Sequence, residues 1–376
     1  MTRPTRLTRR EFAKLVSAGP VFSGIAVLPR ETGGRTTNPG PDSHKTGMRV
    51  TAFARKLSED HLRYIKQIGA DDIRLSAPLV PGYERSGYLE LDNLLAVKRK
   101  VEELGLRLST LYLSQLDLAN LLLDKPGWEK ALDNVCRTIE CLGKASVPVL
   151  AFSLLASRAI RSTTGKPIPG YWLNPNGRGG AVLHSFDEER ARQATEQPAG
   201  LVSADQMWER ITRFQKRCVP VAHEAQVHLA CHPDDPPIAR HWGVSQVLNS
   251  KAGLNRLIEI VPSPYNGLLL CLGTMQESGA DVLDLIRHFG GMKKIFDIDF
   301  RAVHGTVPKY DEVFLDQSDL DMWKVVRTLK EVGYEWTLEP DHVPGIIGDT
   351  PETSISYAWA VGYIKGLLAG VNGPAG

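Results

Sequence analysis

"LDNLLAVKRKVEELGLRLSTLYL", residues 91–113, holds one full structural alternation. Leu94, Val97, Val101 and Leu104 recur at the spacing of one helix face, Gly105 supplies a helix stop, and "LRLSTLYL" follows as a β-rich run. The same alternation extends in both directions. The runs "RVTAFA" (49–54), "DIRLS" (72–76), "VPVLAFSL" (147–154), "VHLACH" (227–232), "GLLLCLG" (267–273), "IFDIDF" (295–300) and "YEWTLEPDH" (334–342) bring the strands to eight. Each is followed by a segment of helical spacing, as in "DLDMWKVVRTLKEVG", where Gly333 again precedes a strand. Several strands are continuously apolar, as strands buried on both faces must be. The pattern predicts a (β/α)8 TIM barrel. A doubly wound open sheet competes, but no Gly-rich nucleotide loop follows the first strand.

Composition narrows the function classes. The chain has 376 residues and a formal net charge of +2, with Lys and Arg spread along amphipathic segments, so no polyanion site is indicated and nucleic acid is not an expected partner. Five cysteines, an odd number set in apolar segments, argue against a disulfide framework. A homo-oligomer is compatible with the sequence.

The amino end departs from the alternation. "TRREFAKLVSAGPVFSGIAVLP" (8–29) places Arg9 and Arg10 ahead of a modest apolar stretch and resembles a twin-arginine export signal, which implies a periplasmic or exported protein. Glycines and Pro20 interrupt that stretch, and it falls short of the ~20 apolar residues of a spanning helix, so no stable membrane insertion is expected. Residues 1–46 are therefore read as signal and flexible linker, and residues 47–376 as one barrel domain.

In such a barrel the chemistry sits at the C-terminal strand ends. The fifth strand ends on His232, the sixth on Cys271, the seventh on Asp299 with Arg301 beyond, and the eighth on Asp341 and His342. Potential metal ligands at four successive ends predict a centre for a borderline divalent ion such as Mn2+, Fe2+, Co2+ or Zn2+. Cys218 falls in a helix, and Cys231 should point away from the side that His232 faces.

These residues carry a family resemblance. "HPDDPP" (232–237), "CLG" (271–273), "FRAV" (300–303), "DEVFLDQSDLDM" (311–322), "PDH" (340–342) and "GYIKGLL" (362–368) are together similar to the mannonate dehydratases, whose barrel is xylose-isomerase-like. The resemblance runs from about residue 48 to 370. It implies a metal-dependent lyase that removes water from a sugar acid to give a 2-keto-3-deoxy acid, with Mn2+ or Fe2+ as cofactor. It places metal ligands at His232, Cys271 and Asp341, with Asp299 where the family has His, an acid/base group at His342 and a second at Tyr357. Arg301 is expected to act as an anion clamp, and Asp234 or Asp235 to hold outer hydrogen bonds.

Departures from the family pattern modify the substrate expectation. Glu339 stands where the family has Arg before the PDH motif, and Asp299 adds a negative charge to the ligand set. Both weaken attraction for a substrate carboxylate. An isomerase, epimerase or eliminating lyase acting on a neutral sugar or keto-glycoside is the alternative, and a non-catalytic sugar-binding barrel the third reading. The segment "SLLASRAIRSTTGKPIPGYWLNPNGRGGA" (153–181) lacks the family's usual Asn-Phe-Met-Pro and Asp-Trp-Thr-Arg run and is expected to form a lid or substrate wall over the mouth.

Overall fold

Eight parallel strands close on themselves: β1 (Arg49–Ala54), β2 (Asp72–Ser76), β3 (Arg107–Tyr112), β4 (Val149–Ser153), β5 (His228–His232), β6 (Asn266–Cys271), β7 (Ile295–Phe300) and β8 (Thr337–Pro340). Closure is made where Arg49 of β1 pairs with Thr337 of β8, which excludes the open sheet. The computed structural model describes residues 47–350 and 354–373, so the signal and linker expected at residues 1–46 lie outside the described residues. The described residues fall in one compact unit. Among the described residues no helix is long and apolar enough to cross a membrane.

The helix Leu91–Glu103 turns Leu94, Val97 and Val101 inward, and Met322–Glu331 does the same with Val325, Val326 and Leu329. Both stop as expected. Gly105 (φ +71°) and Gly333 (φ +65°) occupy the left-handed region, and the next residues, Leu106 and Tyr334, donate back to Val101 and Leu329 at 3.3 and 2.9 Å.

Period-two alternation sorts each strand between two layers. In β5, Leu229 and Cys231 join the large apolar layer beneath the helices, together with Cys218 and Ala222 of the helix Ala204–Ala225. Ala230 belongs instead to a small interior cluster with Val149, Ala151, Leu269, Cys271 and Phe296. His232, two residues beyond Ala230, shares its face.

The rest of the barrel interior is polar. Arg74 from β2 is buried and its guanidinium meets Asp297 at 2.8 Å and Asp299 at 2.6 Å, both on β7, and also contacts Glu339 on β8. Thr110 and Thr337 donate to the two oxygens of Asp297 at 3.1 and 2.7 Å. One cation from one side of the barrel thus holds three carboxylates from the other. Removing one partner of a buried ion pair strands the rest, at a cost of ~3–5 kcal/mol. Arg74→Met is therefore expected to lower the unfolding free energy by about that amount in urea titration; an unchanged midpoint would contradict the network.

Candidate metal centre

β5, β6 and β7 are adjacent, with Leu268 paired to Cys231 and Cys271 to Asp299. Their C-terminal ends bring His232, Cys271 and Asp299 together at the mouth. Their ligand atoms lie within 4.8 Å of one another and all three residues are buried. His232 Nδ1 sits 2.6 Å from the Pro233 carbonyl, a pure acceptor, so Nδ1 carries a proton and Nε2 is the nitrogen that faces the cluster, 3.4 Å from Asp299 Oδ2; burial lowers this imidazole but the Asp299 contact outweighs it, and a bound cation would take the place of the Nε2 proton. Burial pushes the Cys271 thiol up, with nearby Arg301 opposing; its sulfur accepts from the Thr274 N–H at 3.4 Å. For Asp299 burial also favours the neutral acid, but Arg74 and then His232 outweigh it and hold its carboxyl well below the usual range. An imidazole nitrogen, a thiol and a carboxylate at this spacing, with the imidazole tautomer already fixed, suit a borderline divalent cation.

Asp341 stands apart from that trio. It is partly exposed, with its oxygens 3.9 Å from Arg301 Nη1 and 3.8 Å from His342 Nε2. The structure thus gathers three of the four expected ligands and leaves Asp341 on the rim above them, where its charge still acts on the Cys271 thiol.

His342 has φ +47°, a left-handed conformation that costs a residue with a Cβ on the order of 1 kcal/mol and is compensated by the contacts it gains. Its Nδ1 lies 2.8 Å from both oxygens of Glu312. Burial favours the neutral imidazole, yet Asp341 and Glu312 outweigh it and raise His342 to about 9. It is therefore a proton donor at neutral pH, with Nε2 free of the Glu312 contact.

Two sequence-based roles are corrected. Arg301 is 1% exposed and its guanidinium is committed: Asp235 at 3.1 Å from both Nη atoms, Glu277 at 3.0 Å, Glu312 at 3.2 Å and Thr274 Oγ1 at 2.6 Å. Both Nη atoms are taken by the protein and Nε is buried without a partner among the described residues, so the group braces His342 and the mouth instead of reaching a substrate anion. Tyr357 does not partner His342 either. Its hydroxyl accepts from the Phe53 N–H at 3.0 Å and donates to Glu339 at 3.2 Å, which ties it to the Arg74 network.

Sequence reading also missed residues. Arg74, Asp297, Glu277 and Glu312 all brace the mouth; Arg74 and Asp297 are charges inside apolar strands, Glu312 lies in the quoted "DEVFLDQSDLDM" motif, and Glu277, at the end of the helix Leu272–Glu277, carried no such signal. The Asp234 and Asp235 expectation holds, since Asp234 accepts from the Val247 and Leu248 N–H groups at 2.7 Å while Asp235 anchors Arg301 and accepts from Tyr171 at 2.5 Å. The expected lid is a built structure rather than a loop. After the helix Ala156–Thr164, strands Tyr171–Asn174 and Leu183–Asp187 pair with Lys309–Val313 and Ala302–Thr306 in one antiparallel sheet. Phe186, Ala191, Ile238, Val303 and Tyr310 form its own apolar core.

The sequence pattern of the D-mannonate dehydratase (UxuA) family matches residues 183–374, just over half of the chain, including β5 to β8 and the lid hairpin. The chain belongs to this family. A mannonate dehydratase from Thermotoga neapolitana is 27% identical over 314 residues, covering 75% of this chain and 86% of that protein. The crystal structure of mannonate dehydratase from Streptococcus suis serotype 2 superposes with a TM-score of 0.69 at 23% identity, covering 86% of this chain and 93% of that one. A xylose isomerase domain protein from Planctomyces limnophilus, at 13% identity and a TM-score of 0.55, covers 88% and 99%; the two superpositions establish the xylose-isomerase-like TIM barrel.

For a member of the mannonate dehydratase family the two departures in charge prove linked. The Arg missing before the PDH motif is replaced by Glu339, and a guanidinium arrives from β2 instead, in Arg74, contacting both Glu339 and Asp299. Burial pushes the Glu339 carboxyl well up, with Arg74 opposing, and Arg74 also pairs with Asp297 and Asp299. The expected excess of negative charge around a cation is thereby offset.

Gly273 of the CLG motif has a reason of its own. A Cβ there would lie 2.3 Å from Arg301 Nε and 2.9 Å from its Cγ, inside contact distance. Within the helix Leu272–Glu277 an Ala would ordinarily gain ~1 kcal/mol over Gly. The Arg301 contact reverses that sign: Gly273→Ala should destabilise the protein by ~1–3 kcal/mol in thermal or chemical unfolding, and a stabilised variant would show that Arg301 is not fixed where described.

Proposed function

We propose that this chain is a hydro-lyase removing water from a six-carbon sugar acid of the D-mannonate type, with Mn2+ or Fe2+ held by His232, Cys271 and Asp299 and completed by Asp341. The observation that carries this reading is the convergence of those three buried ligand atoms at the C-terminal ends of β5, β6 and β7. Bound there, a divalent cation supplies Lewis acidity to a carboxylate and its neighbouring hydroxyl, stabilising the negative charge that develops when the C2 proton leaves. The chain's own residues supply position and a proton. The C2 proton passes to solvent water at the mouth, while His342, steadied by Glu312 through Nδ1, gives its Nε2 proton to the departing C3 hydroxyl, which leaves as water, and regains a proton from solvent. Arg301 and Asp235 hold Glu312 and the mouth in place, and the lid sheet carries Glu312 and His184 against the imidazole. The resulting enol becomes the 2-keto-3-deoxy acid.

The charge balance supplied by Arg74 supports an acid over a neutral sugar. Protein loaded with Mn2+ or Fe2+ and offered D-mannonate, other hexonates and neutral hexoses should form a 2-keto-3-deoxy product from a hexonate. Activity confined to neutral sugars would overturn the assignment. His232→Ala and Cys271→Ser should each weaken metal binding by more than the ~10–100-fold that loss of an outer hydrogen-bond partner costs, with circular dichroism unchanged; full metal occupancy in both would rule out the site.

Arg9 and Arg10 further support export of the protein by the twin-arginine route. Their joint replacement by lysine should leave the protein in the cytoplasm of a bacterial host, and undiminished periplasmic recovery would refute this.

A further inference from the structure

Arg158 is the cation at the mouth whose hydrogen-bonding groups remain unused. It lies in the first turn of the helix Ala156–Thr164, directly after β4, in the segment that lacks the family's usual motif. Its side chain is 33% exposed, and its ion partner is Asp235 at 3.8 Å, beyond hydrogen-bond distance. Asp235 is already taken by Arg301 at 3.1 Å and Tyr171 at 2.5 Å. Among the described residues the Arg158 guanidinium makes no hydrogen bond, and it is not one of those with a further unspecified partner.

Its surroundings place it beside the centre. Arg158 interacts electrostatically with Tyr112 at the end of β3, with Asp235 after β5 and with Asp341 after β8, and its charge reaches His232. Ser153, which ends β4 five residues before Arg158, pairs with His232, and Asp235, 3.8 Å from the guanidinium, follows His232 by three residues, so Arg158 stands at the mouth beside the centre. A partly desolvated guanidinium without fixed partners is poised for a charge-assisted contact, and its fork matches a carboxylate in two directions. Arg301, the other arginine beside the centre, has no such freedom.

We propose that Arg158 selects an acid over the corresponding neutral sugar by binding the substrate carboxylate at the oxygen turned away from the metal ligands. The inference deepens the sugar-acid reading and rests on it for the substrate class. A charge-assisted hydrogen bond of this kind is worth about 10- to 100-fold in affinity.

The test uses the full-length, metal-loaded protein and its Arg158→Gln and Arg158→Lys variants. Calorimetry measures binding of hexonates (D-mannonate, D-gluconate, L-gulonate) against the neutral alditol D-mannitol, and initial rates are taken for whichever hexonate turns over. Arg158→Gln should weaken hexonate binding by about 10- to 100-fold, leave D-mannitol within about twofold, and raise KM far more than it lowers kcat. Arg158→Lys should recover part of the loss. Metal content and melting temperature should match the parent, which separates a binding role from a structural one. Equal weakening of hexonate and alditol, or no change in either, overturns the proposal, as does a parent that binds no hexonate. A parent that binds hexonates through Arg158 without dehydrating them would instead sink the catalytic reading and leave the proposal standing.

Discussion

A single buried guanidinium carries the arrangement of this barrel. Arg74 reaches across the interior from β2 to the carboxylates of β7 and β8, so the strands that deliver Asp299 and precede Asp341 are tied to the opposite wall. TIM-barrel interiors are usually filled by layers of branched apolar side chains. Here the layer beneath the centre is an ion network, which fixes the direction of Asp299 far more narrowly than apolar packing would. Tyr357 donates to Glu339 and two threonines donate to Asp297 within it, while Arg74 Nε stays buried without a hydrogen-bond partner among the described residues.

A second buried arginine organises the mouth. Arg301 binds the HPDDPP turn through Asp235, the sixth-strand helix through Thr274 and Glu277, and the lid hairpin through Glu312. Three segments far apart in sequence therefore move as one. Glu312 in turn orients His342 and, with Asp341, raises its imidazole against burial, so this histidine depends on a residue of the antiparallel sheet. Gly273 leaves the room that this arginine needs.

The two arginines differ from a third in what remains of their hydrogen-bonding capacity. Arg74 and Arg301 are spent on the protein; Arg158 is not. Their separation changes the charge balance that composition alone suggested. Asp299 and Glu339, taken as isolated charges, argue against an anionic substrate. In place, one is neutralised by Arg74 and the other is pushed toward its protonated form by burial, and the charge that faces the mouth from the lid segment is positive.

The sequence by itself determined the barrel, its register and most of its ends. Alternating helical and β-rich segments with glycine stops leave few other ways to bury eight apolar strands, and period two then fixes that His232 faces inward while Cys231 faces the helices. His232, Cys271 and Asp299 were legible because strand ends are predictable positions. Only tertiary structure decided what each charge meets. Arg74 and Asp299 are 225 residues apart in the chain, and Arg301 and Asp235 are 66 apart, so no local pattern could pair them. For the same reason Arg301 and Tyr357 looked free in sequence and are bound in the fold: a hydrogen-bonding group's availability depends on partners that only chain closure brings near.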